Sequence, residues 1–133
     1  KIVLSVSPIR HLGDGFHENQ LSKSTLLLAI DELCKQQNIK YFPSYEIVLD
    51  DLRDYRFFAD DMAHPSPLAV DYIWEKFGEM FFDESTQQLS FRVEKLKKSF
   101  AHRPFNPNSE EYQKFLLSLE KERKILEKQG IVI

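Results

Sequence analysis

The chain has 133 residues, of which 42% are hydrophobic and 13% aromatic, and this is enough apolar material for a packed core. A formal net charge of -3 and a pI of about 5.8 argue against a general nucleic-acid-binding protein, because such proteins usually carry a basic field. No apolar run reaches the roughly 18–20 residues of a membrane span. The single cysteine, Cys34, excludes an internal disulfide.

The first predicted element is a short β-branched strand over residues 2–6, of the kind that is buried in parallel sheets. The polar loop after it contains Arg10 and His11. Because open α/β sheets place ligands beyond the carboxyl ends of their strands, both are candidate substrate-binding residues. The alternative is that each is an ordinary solvated loop side chain. The chain enters the strand from Lys1 rather than from methionine, and we therefore expect it to be part of a longer protein.

A helix is predicted next, over about residues 22–37, because leucine and isoleucine side chains recur there at helical spacing. A second strand is predicted over residues 39–42, interrupted at Pro43 and Ser44 and resumed over residues 45–49. Strand, helix and strand at this spacing predict a βαβ unit with parallel strands and a right-handed crossover.

The segment that follows, residues 50–58, mixes acidic, basic and aromatic side chains, with Arg53 and Arg56 among them. Opposite charges and aromatic rings so close together favour a structural clamp that holds a long loop. We prefer this interpretation to a catalytic one for these residues.

Asp61 and His64 follow at a spacing of three residues, which in one turn of backbone places two side chains on the same side. The carboxylate can then accept a hydrogen bond from one imidazole nitrogen and leave the other free to take a proton. Pro65 disfavours a helical conformation for His64, and Ser66 and Pro67 can cap and open the next helix. His64 is therefore predicted on a loop just before a helix, where catalytic residues are common, although the same spacing also occurs by chance.

Three further helices are predicted over residues 67–82, 85–101 and 109–128, with a proline-containing turn before the last. The charge balance changes near residue 84. Residues 1–83 carry 8 basic and 14 acidic side chains, whereas residues 84–133 carry 10 basic and 7 acidic ones. We therefore expect an α/β domain over residues 1–83 and a helical extension over residues 84–133.

Metal and nucleotide chemistry find little support in the sequence. His11 and His17 are six residues apart, His64 and His102 are distant from them, and no cysteine pair accompanies them. The four glycines do not repeat at the spacing of a phosphate-binding loop. We expect no metal site and no cofactor.

A histidine oriented by a carboxylate is two thirds of a Ser-His-Asp system, so nucleophilic catalysis fits the pattern better. The nucleophile is missing. No G-x-S-x-G motif occurs, and the serines of the first 24 residues have no signature around them.

Several stretches in the right order resemble one family, the GSCFA domain, a bacterial relative of the SGNH hydrolases. The resemblance spans roughly residues 2–80 and continues weakly through residues 102–105. The stretches that carry it are Ser7-Pro8-Ile9-Arg10-His11, Asp14-Gly15, Asn19-Gln20-Leu21-Ser22-Lys23-Ser24, Tyr41-Phe42-Pro43-Ser44-Tyr45-Glu46, Asp50-Asp51-Leu52-Arg53-Asp54-Tyr55-Arg56-Phe57 and His64-Pro65-Ser66.

The resemblance implies a three-layer α/β/α fold of the flavodoxin-like SGNH type, with a parallel sheet. It also implies an enzyme that cleaves esters of small acyl groups. The last motif of such hydrolases, D-x-x-H, corresponds to Asp61 as the triad carboxylate and His64 as the general base. The nucleophilic serine and the oxyanion-hole donors belong to earlier motifs, and neither Gly-Ser-Cys-Phe-Ala nor G-x-N-D occurs here. Residues 1–83 therefore resemble the carboxyl-terminal half of the domain.

From this resemblance we expect the 133-residue chain to be inactive by itself, although the resemblance implies an esterase for its parent. Its partners would be a small-molecule or carbohydrate ester and the rest of its own domain upstream of Lys1, and we expect a cytoplasmic location. With half the sheet missing, the first strand would be exposed and isolated folding marginal or oligomeric. The alternative function is a non-catalytic α/β module that binds a sugar or a partner protein.

Overall fold

A computed structural model describes residues 1–132 as two compact units. The first unit is Lys1–Met80 and the second begins at Phe81. Ile133, the last residue of the predicted helical extension, lies outside the described residues. None of the helices in the described residues combines the length and the apolar character that crossing a membrane requires.

The first unit contains a βαβ arrangement, so the predicted mixed α/β class is confirmed. Strand β1 (Ile2–Leu4) pairs in parallel with β2 (Ile39–Tyr41), and the helix α1 (Phe16–Cys34) connects them. The register sets Ile2 opposite Ile39 and Leu4 opposite Tyr41. Over residues 1–132 the sheet consists of these two strands.

Strand β1 is shorter than predicted, and it is not buried. Ile2 and Val3 are 48% and 41% exposed, and β2 pairs with one edge of the strand only. The predicted burial of this strand is therefore wrong for Ile2 and Val3, whereas its parallel pairing is confirmed. A β-branched apolar run predicts a strand, but the elements that cover it are set by the rest of the fold.

The prediction that the second strand resumes over residues 45–49 is wrong, because these residues form helix α2 (Ser44–Leu49). A short apolar run does not distinguish a strand from a buried helix by periodicity. Tyr45, Val48 and Leu52 are buried, at helical steps of three and four residues. The Ser44 hydroxyl donates to the Val6 carbonyl at 2.9 Å. This bond connects the start of α2 to the residues just after β1.

Helix α1 begins at Phe16, six residues before the predicted start, after Gly15 with a left-handed φ of 87°. Its inward face is polar. Asn19 and Lys23 are buried, whereas Leu26 and Leu33, from the predicted apolar stripe, are 47% and 42% exposed. The Lys23 ammonium donates to the Ser7 carbonyl at 2.7 Å, and burial lowers the pKa of Lys23. This contact fixes the loop after β1 against α1.

The core of the first unit is formed by Val48, Leu52 and Ala69, which are almost fully buried. Phe57 and Phe58 pack against them, together with side chains of helix α3 (Pro67–Phe81). The core therefore contacts Phe57 and Phe58, which come shortly before the predicted acid–base pair in the chain.

The second unit is a pair of helices, α4 (Glu84–Ala101) and α5 (Glu110–Lys128), within about one residue of the predicted bounds. Leu96, Leu119 and Leu126 form its buried core. The Asp83 carboxylate accepts the Thr86 amide at 2.7 Å and the Ser109 hydroxyl accepts the Tyr112 amide at 3.2 Å, so both helices have a side-chain cap. Gly130, with a φ of 83°, follows the end of α5.

Candidate acid–base site

The side chains of Asp61 and His64 are in direct contact. The imidazole Nδ1 of His64 lies 2.6 Å from Oδ2 of Asp61. The other carboxylate oxygen, Oδ1, accepts the backbone amides of Ala63 at 2.9 Å and of His64 at 3.0 Å. The carboxylate is thus bound on both oxygens, and the predicted geometry of the pair is present.

These hydrogen bonds favour the ionised form of Asp61. The two backbone amides, from His64 and then Ala63, and the imidazole bond together lower the pKa of Asp61 to about 2. The carboxylate is therefore ionised at neutral pH and can only accept, so Nδ1 of His64 carries the hydrogen. In the neutral ring Nε2 is then the acceptor, and the imidazole is 58% exposed.

The backbone around the pair is a closed loop held at its base. The amide of Ala59 donates to the His64 carbonyl at 2.8 Å, and the amide of Ser66 donates to the Phe57 carbonyl at 2.8 Å. Within the loop, Met62 has a left-handed φ of 59°, which is uncommon for a residue other than glycine. The Ser66 hydroxyl accepts the Ala69 amide at 3.3 Å at the start of α3, as the sequence predicts for a cap.

Arg10, a predicted substrate-binding residue, contacts this loop although it lies 52 residues before Met62 in the chain. Its guanidinium Nη1 donates to the Met62 carbonyl at 3.2 Å, and its backbone amide donates to the Ala63 carbonyl at 3.1 Å. The guanidinium carbon lies 4.0 Å from the ring centroid of Phe58 and 5.4 Å from that of Tyr55.

His11, the other predicted substrate-binding residue, is exposed. Its backbone amide donates to Oδ1 of Asn19 at 2.9 Å, which anchors the loop to α1. Binding of a substrate by His11 stays a prediction.

A cleft of about 300 Å³ lies beside Arg10, and the sequence analysis did not predict it. Aromatic and amide side chains dominate its lining, including Phe16, Asn19, Gln20, Tyr45, Tyr55 and Phe58. The Tyr45 hydroxyl is hydrogen-bonded to Gln20. The cleft was not predicted because residue 45 was assigned to a strand, whereas Tyr45 and Val48 line the cleft from helix α2. Their spacing of three residues is the signal that could have indicated a helix there.

The ion pairs of the predicted clamp are present but local. Arg53 contacts Asp50 at 2.6 Å, and Arg56 contacts Asp54 at 3.5 Å, all with exposed side chains. Exposed pairs of this kind contribute little to stability. The aromatic part, Phe57 and Phe58 in the core, does more to hold the loop.

In the described residues, no group of metal ligands is present and no serine is hydrogen-bonded to the pair. Among residues 1–132 no three histidine, cysteine or acidic side chains are grouped so that they could hold a metal ion. In the same residues no serine hydroxyl is hydrogen-bonded to His64. Ser5 and Ser44 bond to each other at 2.6 Å and to main-chain carbonyls, and Ser66 caps α3.

Comparisons with known proteins give two family matches. Residues 1–77 match the model of the GSCFA family, and residues 93–130 match that of the GSCFA domain protein, C-terminal domain. No curated protein and no solved structure matches the chain. The first match covers more than half of the chain and contains Asp61, His64 and Arg10, and it confirms the resemblance found in the sequence. The chain belongs to the GSCFA family.

Proposed function

We propose that this chain is the carboxyl-terminal part of an SGNH-like hydrolase that cleaves acyl esters, and that it contributes the acid–base half of the active site. His64 acts as general base and acid, and Asp61 orients it. The observation that supports this most is the 2.6 Å bond between the ionised Asp61 carboxylate and Nδ1 of His64, which leaves Nε2 able to accept a proton.

In the proposed reaction, Nε2 of His64 takes the proton of a serine hydroxyl as its oxygen attacks the ester carbonyl. The imidazolium then returns that proton to the departing alcohol, and a water molecule releases the acyl group by the same two transfers. Asp61 stays ionised throughout, because its role is to hold the ring and to stabilise the imidazolium. The pKa of about 2 suits this role, since the carboxylate does not compete for the proton.

The proposal places the nucleophilic serine and the oxyanion-hole donors in another segment of the same domain. In residues 1–132 one edge of β1 has no partner strand, and this edge, with the exposed Ile2 and Val3, supports the addition of further parallel strands. A three-layer α/β/α sheet completed in this way is part of the proposal. The 133-residue chain by itself should then show no esterase activity.

The test is hydrolysis of short-chain p-nitrophenyl esters by the complete gene product that contains this chain. General acid–base catalysis typically contributes roughly 10²- to 10⁴-fold, so His64→Ala should lower kcat by about that factor. His17→Ala, on the exposed face of α1, is the matched control and should retain wild-type turnover. Turnover in His64→Ala equal to that of His17→Ala would rule out the role given to His64.

A second candidate function is a non-catalytic binding module, and the aromatic cleft beside Arg10 favours it. Rings and amide groups such as those of Tyr45, Tyr55 and Asn19 suit the apolar faces and hydroxyl groups of a sugar. A complete gene product that hydrolyses no ester, but in which a monosaccharide perturbs the NMR signals of Tyr45 and Tyr55, would support this function instead.

A further inference from the structure

We propose that Arg10 is a positioning residue for the acid–base pair: it holds the two peptide units between Asp61 and His64 from their carbonyl side. This inference rests on the proposed function for its catalytic consequence, but the positioning itself is a property of the chain. It assigns Arg10 a role different from the substrate contact that its place after a strand predicts.

The two peptide units concerned are Met62–Ala63 and Ala63–His64. Their amides donate to Oδ1 of Asp61 at 2.9 and 3.0 Å. Their carbonyls accept from Arg10, the first from the guanidinium at 3.2 Å and the second from the backbone amide at 3.1 Å. Each peptide plane is therefore bound at both ends, by Arg10 on the oxygen and by Asp61 on the hydrogen.

Because a peptide unit is rigid, fixing its carbonyl also fixes the direction of its amide hydrogen. Arg10 thereby fixes the positions of the two amides that donate to Oδ1 of Asp61. The carboxylate is oriented by these bonds, and its Oδ2 lies 2.6 Å from the imidazole Nδ1. A hydrogen bond to each carbonyl also polarises the amide of the same unit, which strengthens its bond to the carboxylate. Arg10 acts on His64 through this chain of contacts without touching the ring.

The turn needs such support because of Met62. Its φ of 59° lies in the left-handed region, where the Cβ of an L-residue is crowded, so the surroundings must hold it there. Arg10 binds the carbonyl of this same residue, from 52 positions away in the sequence. The contact thus restrains the strained residue at the point where the turn would relax.

Arg10 is itself held by the core. Its guanidinium carbon lies 4.0 Å from the ring centroid of Phe58, which packs against the buried Val48 cluster. A planar guanidinium can stack on a ring and still donate from its edge, whereas a lysine ammonium is a point charge without that geometry. Arg10→Lys should therefore keep the charge and lose part of the positioning.

The experiment titrates Asp61 by NMR in the 133-residue chain, with its signal assigned by Asp61→Asn. In Arg10→Gln the pKa of Asp61 should rise from about 2 part of the way toward its ordinary value of 3.8, because the Met62–Ala63 unit and its amide donor are no longer held by the guanidinium, and Arg10→Lys should give a smaller rise. The backbone amide of residue 10 is kept in both variants and still holds the Ala63–His64 unit. The control is Arg53→Gln, which removes an exposed arginine of the same region and should leave the titration unchanged.

A second substitution separates positioning from general damage to the fold. In Arg10→Gln combined with Met62→Gly, glycine adopts the left-handed φ without crowding, so the pKa of Asp61 should return part of the way. If circular dichroism shows that Arg10→Gln does not fold, the titration of Asp61 is measured in Arg10→Lys instead. An Asp61 titration that stays unchanged in the folded Arg10 variants would overturn the proposal.

Kinetics of the complete gene product complete the test. A misplaced base should lower kcat by roughly 10- to 100-fold in Arg10→Gln with KM little changed. A raised KM with unchanged kcat and unchanged Asp61 titration would instead make Arg10 a substrate contact and overturn the inference. If no ester is hydrolysed but the titration shifts, the proposed function fails while the positioning role stands.

Discussion

At the scale of single residues, Asp61 makes the stability of the folded chain depend on pH in the acidic range. Its folded pKa of about 2 lies below its ordinary value of 3.8, so the folded chain releases the proton more readily than the unfolded chain. The stabilisation is therefore fully present above about pH 4. It is lost as the pH falls from about 4 through 2, and well below pH 2 the carboxyl group is protonated in both states.

We expect this dependence to disappear in Asp61→Asn. Thermal unfolding midpoints measured between pH 2 and 5 should fall less steeply in this variant than in the wild type. Asp60→Asn, a neighbouring exposed carboxylate, should retain the wild-type slope. Identical slopes in all three proteins would show that the hydrogen bonds to Asp61 do not stabilise the folded chain.

The sequence predicted the contact between Asp61 and His64, because a three-residue spacing in a turn constrains geometry locally. It did not predict what Arg10 contacts, since the residues that meet there are 52 positions apart. Nor does any local rule predict a left-handed Met62, because methionine is seldom found in that conformation. Such a residue is held by tertiary contacts, which a single sequence does not display.

At the scale of elements, the helices of the second unit were predictable and α2 was not. Helices α4 and α5 are long and amphipathic, with a capping side chain before each, so periodicity and termini agree. Helix α2 has only six residues, too few for the helical period to be separated from a strand. The start of α1 was missed because its first turns bury Asn19 and Lys23 rather than apolar residues.

Strand β1 supports a prediction at this scale. Its exposed Val3 and its unpaired edge should let the isolated 133-residue chain self-associate as concentration rises, since a free strand edge offers unpaired backbone groups. Val3→Lys should reduce this association, because a charged edge residue disfavours pairing with a second strand.

Sedimentation velocity over a range of concentrations measures the effect. Val70→Lys, at an exposed valine on α3, is the matched control and should associate like the wild type. A chain that stays monomeric at every concentration would contradict the expected role of the strand edge.

At the scale of the whole molecule, the two units correspond to two family matches, over residues 1–77 and 93–130. The change in charge balance near residue 84 had indicated a difference in character at about this place. The extent of the sheet was not predictable from this sequence. Pairing of parallel strands depends on contacts between segments far apart in the chain, and the local sequence of a strand does not show how many neighbours it has.

The central claim is that Asp61 and His64 act as one acid–base unit, and the kcat of Asp61→Asn in the complete gene product tests it most directly. With an amide in place of the carboxylate, the imidazole loses its orientation and its tautomer, and kcat for a short acyl ester should fall by roughly 10²- to 10⁴-fold. The reference is Asp60→Asn, which should match the wild type. Equal kcat values for the two variants would contradict the claim.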